Sequence, residues 1–122
     1  MSEYTRFRVV DRGDVLIVRL LDPTLFDTLA ISELEEELLQ LLGERSPRKV
    51  LVSFAGVIHC STAVINGLLR AKKKLVPAGG QLKLCAMTDT VREAYRILNL
   101  EGTVFEIYDS EQEALESLGV HV

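Results

Sequence analysis

The spacing of hydrophobic and polar positions changes along the chain, and each change marks an element. Val15-Leu16-Ile17-Val18-Arg19-Leu20 is a β-branched, apolar run and reads as a strand. Phe7-Arg8-Val9-Val10 alternates loosely just upstream, and Arg12-Gly13-Asp14 supplies a turn, so the two runs predict a hairpin. Asp22-Pro23 breaks the second strand. Ile31, Leu34, Leu38, Leu41 and Leu42 then recur at helical spacing, with Glu33, Glu36, Glu37 and Gln40 on other faces. Ser32 with Glu35 has the form of a capping box, although a start a few residues earlier also fits; Gly43 is a plausible stop.

The rest of the chain alternates strand and helix. Lys49-Val50-Leu51-Val52-Ser53-Phe54 has an unbroken apolar centre, which suits a strand covered on both faces. A helix is predicted from about Thr62 to Leu75, with Val64, Ile65, Leu68, Leu69 and Leu75 as its buried stripe. Arg70, Lys72, Lys73 and Lys74 gather at its C-terminal end, where the dipole favours cations, and Pro77 and Gly79-Gly80 end it. Gln81-Leu82-Lys83-Leu84-Cys85-Ala86 is a strand. Thr88 or Asp89 caps a helix bearing Val91, Ala94, Tyr95 and Leu98. Val104-Phe105-Glu106-Ile107-Tyr108 reads as a last strand. Ser110 with Glu113 caps a final helix through Ala114, Leu115 and Leu118, and Gly119 follows. The order β-β-α-β-α-β-α-β-α predicts an α/β sandwich with a mostly parallel sheet, right-handed crossovers and an antiparallel N-terminal edge hairpin.

Composition narrows the function. The 122 residues are 48% hydrophobic and 26% charged, with a net charge of −4, an ordinary globular balance that fits a single domain over residues 1–122. No run of 18 apolar residues predicts a membrane span, and Met1-Ser2-Glu3-Tyr4-Thr5-Arg6 has no apolar signal core, so a cytoplasmic location is expected. Mild acidity gives no general field for nucleic acid. Cys60 and Cys85, with only His59 and His121 besides, give a zinc site poor support, and no cofactor is expected. The chain lacks the glycine-rich GxGxxG turn of dinucleotide binders and the GxxxxGK[ST] loop of nucleotide hydrolases.

The most informative stretch is Phe54-Ala55-Gly56-Val57-Ile58-His59-Cys60-Ser61-Thr62-Ala63-Val64-Ile65, which joins the apolar strand to the second helix. Ligands and partners gather at the carboxyl ends of parallel strands. Ser61 and Thr62 lie at the predicted helix start, where the first amides lack helical partners and the dipole favours negative charge. The bland reading is that one of them is an N-cap, worth about 1 kcal/mol. The sharper reading is a phosphorylation site, which adds about −1.5 to −2 charge where an anion is tolerated. The two are compatible.

At this junction the chain resembles the sulfate transporter and anti-sigma factor antagonist (STAS) domain over nearly its whole length. The element order and the strand-Gly-Val-x-x-x-Ser-Thr-helix junction carry the resemblance, with Gly79-Gly80 before a strand, Val91-Arg92-Glu93 opening a helix and Leu100 ahead of the last strand. The family junction reads Asp-Ser-Ser/Thr-Gly before an apolar helix, matched here by Cys60, Ser61, Thr62 and Ala63. Cys60 replaces the usual Asp and Ala63 the usual Gly. The resemblance implies a phosphate acceptor at Thr62, with Ser61 second, and a partner that is an anti-sigma factor acting as a serine kinase. It implies a partner surface of Cys60, Ser61, Thr62, Ala63, Ile65 and Asn66, and no enzymatic activity.

The other chemistry-bearing residues give weaker signals. His59, Cys60 and Ser61 lack the orienting third group of an activated nucleophile. Cys85, in a strand, reads as a small buried hydrophobe. The basic cluster at 70–74 and the acidic face of the first helix read as solvated surfaces. Leu25 and Phe26 sit before the first helix and suit either a partner surface or the core. Two further functions stay open: a constitutive scaffold in a stressosome-like or transporter-associated complex, favoured by Cys60 in place of Asp, and a small-molecule-binding α/β domain. A deep apolar pocket beside Ser61 distinguishes the latter.

Overall fold

The computed structural model describes residues 4–120; residues 1–3, part of the N-terminal segment read for a signal core, and His121 lie outside them. The strands are β1 (Phe7–Arg12), β2 (Val15–Leu20), β3 (Thr24–Leu25), β4 (Lys49–Ser53), β5 (His59–Cys60), β6 (Gln81–Cys85) and β7 (Ile107–Tyr108). The helices are α1 (Thr28–Arg45), α2 (Ala63–Leu75), α3 (Asp89–Ile97) and α4 (Glu111–Ser117). The main sheet has the order β1-β2-β4-β6-β7. Only β1 and β2 pair antiparallel; the remaining neighbours are parallel, as expected for an α/β sandwich with an edge hairpin. Gly13, with φ +72°, supplies the left-handed turn of that hairpin.

The sheet has two unlike faces. Leu16, Val18, Leu20, Val50, Val52, Leu82 and Leu84 point to one side, where they pack with the apolar stripes of α1, α2 and α3. Val15, Ile17, Leu51 and Cys85 point to the other, where they meet Ala114, Leu115 and Leu118 from the α4 segment. The period of two along each strand produces this division. Lys49 and Lys83 hold the smaller side: Lys49 Nζ donates to the Leu118 carbonyl at 2.8 Å, and Lys83 Nζ to Tyr108 and Ser117 oxygens, each at 3.2 Å.

Several sequence expectations are corrected. The first helix starts at Thr28, because Asp27 Oδ1 accepts from the Leu29 amide at 3.0 Å; Ser32 is exposed inside the helix and caps nothing. Gly43 does not stop it, and the helix runs to Arg45 before Ser46 turns left-handed at φ 44°. Val104 lies in a turn and Phe105 forms only an isolated parallel bridge to Glu101, so β7 keeps only two residues; Phe105 is held by its amide donating to the Leu100 carbonyl. Leu98 is exposed, since α3 ends at Ile97. The acidic face of α1 is not simply solvated. Glu37 accepts from the Thr5 and Arg6 amides, Glu33 from Arg6, and Glu35 pairs with Arg70 at 2.6 Å.

Candidate functional site

The junction after β4 begins at a buried anchor. Phe54 is fully buried, and its amide donates to the Cys85 carbonyl at 3.0 Å, which continues the sheet by one bond. A turn closed by the Val57 amide on the Phe54 carbonyl, 2.9 Å, then lifts Ala55 and Gly56 into solvent. The chain next runs beside Pro23–Leu25. The Ile58 and His59 amides both donate to the Pro23 carbonyl, at 2.8 and 3.1 Å, and the Ser61 amide to the Leu25 carbonyl at 2.7 Å. These bonds make β3 and β5 a small parallel sheet of their own. The sequence did not reveal it, because two-residue strands carry no periodicity.

The two hydroxyl residues differ. Ser61 is half-buried, and its Oγ accepts from the Ala63 amide at 3.1 Å, a local turn. Thr62 is exposed, already has helical backbone angles (φ −63°, ψ −17°) and makes no side-chain capping bond. Of the two residues offered as N-cap, Thr62 therefore does not cap with its side chain: a capping hydroxyl needs extended backbone to reach forward, and Thr62 lacks it. The first turn closes tightly instead, with the Val64 amide on the Ser61 carbonyl and the Ile65 amide on the Thr62 carbonyl. No carboxylate stands in the first turn of α2.

Thr62, Ala63 and Asn66 are exposed together at the start of α2. Ile65 is 6% exposed and belongs to the core, which removes its side chain from that surface. Cys60 is half-buried and packs on the main core. Its thiol donates weakly to the Ser61 carbonyl, and burial pushes it up to about 11, so it stays protonated at neutral pH. Beneath it lies Tyr95 of α3, 2% exposed, whose hydroxyl has no hydrogen-bond partner among the described residues and whose ionisation is suppressed by burial and by the charge Cys60 would carry.

Leu25 and Phe26 divide between the two readings given them. Leu25 is buried, while Phe26 is 58% exposed with its ring centroid 6.5 Å from that of His59. Ile58 and Leu29, at 56% and 63% exposed, add apolar surface that the sequence reading missed. The available signal was phase: Leu29 falls off the Ile31-Leu34-Leu38 stripe of its helix.

The remaining candidates have structural partners. Lys72 donates to the Val104 carbonyl and lies 5.6 Å from the Phe105 ring centroid, so with Arg70 on Glu35 half of the basic cluster serves internal contacts. Among the described residues no three His, Cys, Asp or Glu side chains gather as a metal site. Cys85 is fully buried, its thiol pushed up to about 12 chiefly by desolvation. Between α1 and α2 the enclosed space lined by Leu34, Val64 and Leu68 is about 10 Å³, no more than one water occupies. No helix among the described residues is long and apolar enough to cross a membrane.

The family model described as STAS domain matches residues 6–114. Among solved structures, an anti-sigma-factor antagonist (STAS) domain protein from Planctomyces limnophilus superposes with a TM-score of 0.80 at 21% identity, over 93% of this chain and 98% of that one. The Bacillus cell fate determinant SpoIIAA in its phosphorylated form gives 0.69 at 16% identity, over 92% and 98%. A chain from the stressosome gives 0.70 at 15%, over 92% and 96%. No curated protein matches the chain in sequence.

Proposed function

Since this chain belongs to the STAS domain family, we propose that it is a non-enzymatic, cytoplasmic protein-binding module of bacterial signalling, whose surface at the start of α2 captures an anti-sigma factor with serine kinase activity and is switched by phosphorylation of Thr62. One observation carries the choice of Thr62. Its hydroxyl is exposed and makes no capping bond, at a helix start with no carboxylate in the first turn. A phosphoryl group there meets a free nucleophilic oxygen and an uncompensated positive dipole end. Ser61 is the weaker acceptor, because its oxygen is engaged by the Ala63 amide and its side chain is half-buried.

The unmodified surface is small, uncharged and bordered by apolar side chains. Thr62, Ala63 and Asn66 present it, with Phe26, Leu29 and Ile58 on and beside the loops that β3 and β5 tie together. Such a surface docks by excluding water. A hydrated dianion in its centre adds a desolvation cost to binding, so the modified form releases the partner while the fold persists. Cys60 in the place of the family's usual Asp supports a second reading, a scaffold component that binds without being modified.

Recovery of the protein from its native cells, with its partners and with phosphosites mapped by mass spectrometry, tests both. The switch reading expects phosphate on Thr62, loss of labelling in Thr62→Ala but not Ser61→Ala, and a kinase-like protein held by the unmodified form only. A stable complex lacking any kinase and any phosphate on residues 61–62 overturns it in favour of the scaffold.

A further inference from the structure

The α4 side of the sheet carries a second feature, independent of Thr62. Arg8 of β1 lies directly opposite Arg19 of β2, and Arg12 follows on the same face opposite Val15. Like charges directly opposed across a strand pair are destabilising, so this placement needs a counter-charge. Glu111 supplies one: Arg19 grips it through Nε at 2.9 Å and Nη2 at 2.8 Å. Arg19 and, less strongly, Arg12 hold the Glu111 carboxyl below its usual range, working against desolvation. Neither Arg8 nor Arg12 has an ion-pair partner among the described residues, although the whole chain has a net charge of −4. At the Arg8–Arg19 pair the one carboxylate is taken by Arg19, which leaves the positive charge of Arg8 unmatched.

Arg8 and Arg19 border a shaped space. α4 rests chiefly on β4, β6 and β7 and leaves the β1–β2 end of this face open. A cleft of about 360 Å³ lies there, at the carboxyl ends of β2 and β4, lined by Arg8, Arg19, Leu20, Leu21, Ala55 and Gly56, with Ser53 at its floor. The Gly56 amide donates no hydrogen bond among the described residues, and the Ala55 amide makes only a long one, 3.4 Å, to Ser53 Oγ. A guanidinium and a turn with an unengaged amide are what a tetrahedral oxyanion takes as donors.

We infer that this cleft binds a small phosphate-bearing ligand, held by Arg8 and the amides of the 55–56 turn, with the exposed Leu21 against any apolar group attached to the phosphate. The turn that would hold the phosphate leads into β5 and Thr62, so an occupant stiffens the base of the junction.

Titration of the full chain with inorganic phosphate and with phenyl phosphate, followed by amide chemical shifts at constant ionic strength, tests it. Saturable shifts confined to residues 8, 19–21 and 53–56 are expected, weakened about tenfold in Arg8→Gln, as for the loss of one charge-assisted contact. Lys74→Gln, which removes an equal charge from α2, leaves them unchanged. Tighter binding of phenyl phosphate assigns an ester ligand, and equal binding assigns free phosphate. Shifts scattered over Arg70, Lys73 and Lys74, or a titration indifferent to Arg8→Gln, overturn the inference, whatever the outcome at Thr62.

Discussion

Two strand-to-helix junctions leave adjacent parallel strands at the same level, where Ser53 pairs with Cys85, yet they are built in opposite ways. Between β6 and α3 the chain takes three residues, with Ala86 left-handed at φ 61°, and Thr88 stands extended so that its oxygen accepts the Val91 amide at 3.2 Å. Asp89 follows in the first turn, on the favourable end of the dipole. Between β4 and α2 the chain takes residues 54–62, pairs with another loop through β5, and reaches the helix with no side-chain cap from Thr62 and no carboxylate in the first turn. One junction commits its threonine to stability. The other is held by backbone bonds and a buried ring, and leaves its threonine hydroxyl available.

The sharpest way to break the long junction is at that ring. Phe54→Ala removes a fully buried side chain at the base of the excursion and is expected to cost about 3–5 kcal/mol in chemical denaturation. A loss under about 1 kcal/mol means the excursion does not hang on Phe54. Where the two junctions touch, the sign reverses. Tyr95 of α3 holds a hydroxyl beneath Cys60 with no partner among the described residues, so Tyr95→Phe removes a buried polar group without a cavity and is expected to stabilise by about 1 kcal/mol. Equal or lower stability of that variant reveals a partner for the hydroxyl. Thr88→Ala, at the short junction, is expected to lose about 1 kcal/mol, with faster exchange of the Val91 amide.

Cys60 adds a pH test of the same contact. Burial raises its thiol from the usual 9.0 to about 11, so the folded state disfavours the thiolate. The corresponding stability is complete below about pH 9 and is lost as pH rises toward the folded value. Cys85 shifts in the same direction, to about 12, so Cys60→Ala removes only part of the alkaline loss. Denaturation midpoints at pH 8 and pH 10.5 check this, and an unchanged pH dependence in Cys60→Ala assigns the effect elsewhere.

The short junction was legible in the sequence and the long one only in outline. Thr88 and Ser110 stand just before helical periodicity, and both cap as expected, because a short connection leaves a cap little choice of geometry. Strand positions in the sheet followed from apolar runs, and α1 from its leucine stripe. What stayed hidden depends on distant partners. The β3–β5 pairing joins residues 24–25 to 59–60, and Glu37 reaches back to Thr5; Ile65, by contrast, was legible as part of the buried stripe of α2 and lies in the core. Phe105 shows the same limit: it belongs to an apolar run that reads as strand, yet it makes only an isolated bridge to Glu101, beside Lys72 and the Leu100 carbonyl.

The smallest expected effect is also the most decisive for the comparison. Thr62→Ala removes an exposed hydroxyl with no capping bond, so stability should change by no more than about 0.5 kcal/mol, well short of the Thr88→Ala loss. Thr62→Glu places a carboxylate at an uncompensated dipole end and should gain about 0.3–1 kcal/mol at low salt, with the gain shrinking as salt rises. If Thr62→Ala is as costly as Thr88→Ala, the hydroxyl is engaged after all, and the two junctions do not differ in the way that leaves α2 open to modification. If the alanine is silent and the glutamate stabilises, the start of α2 accepts a negative charge without strain, so any partner lost on phosphorylation is lost at the surface rather than through unfolding.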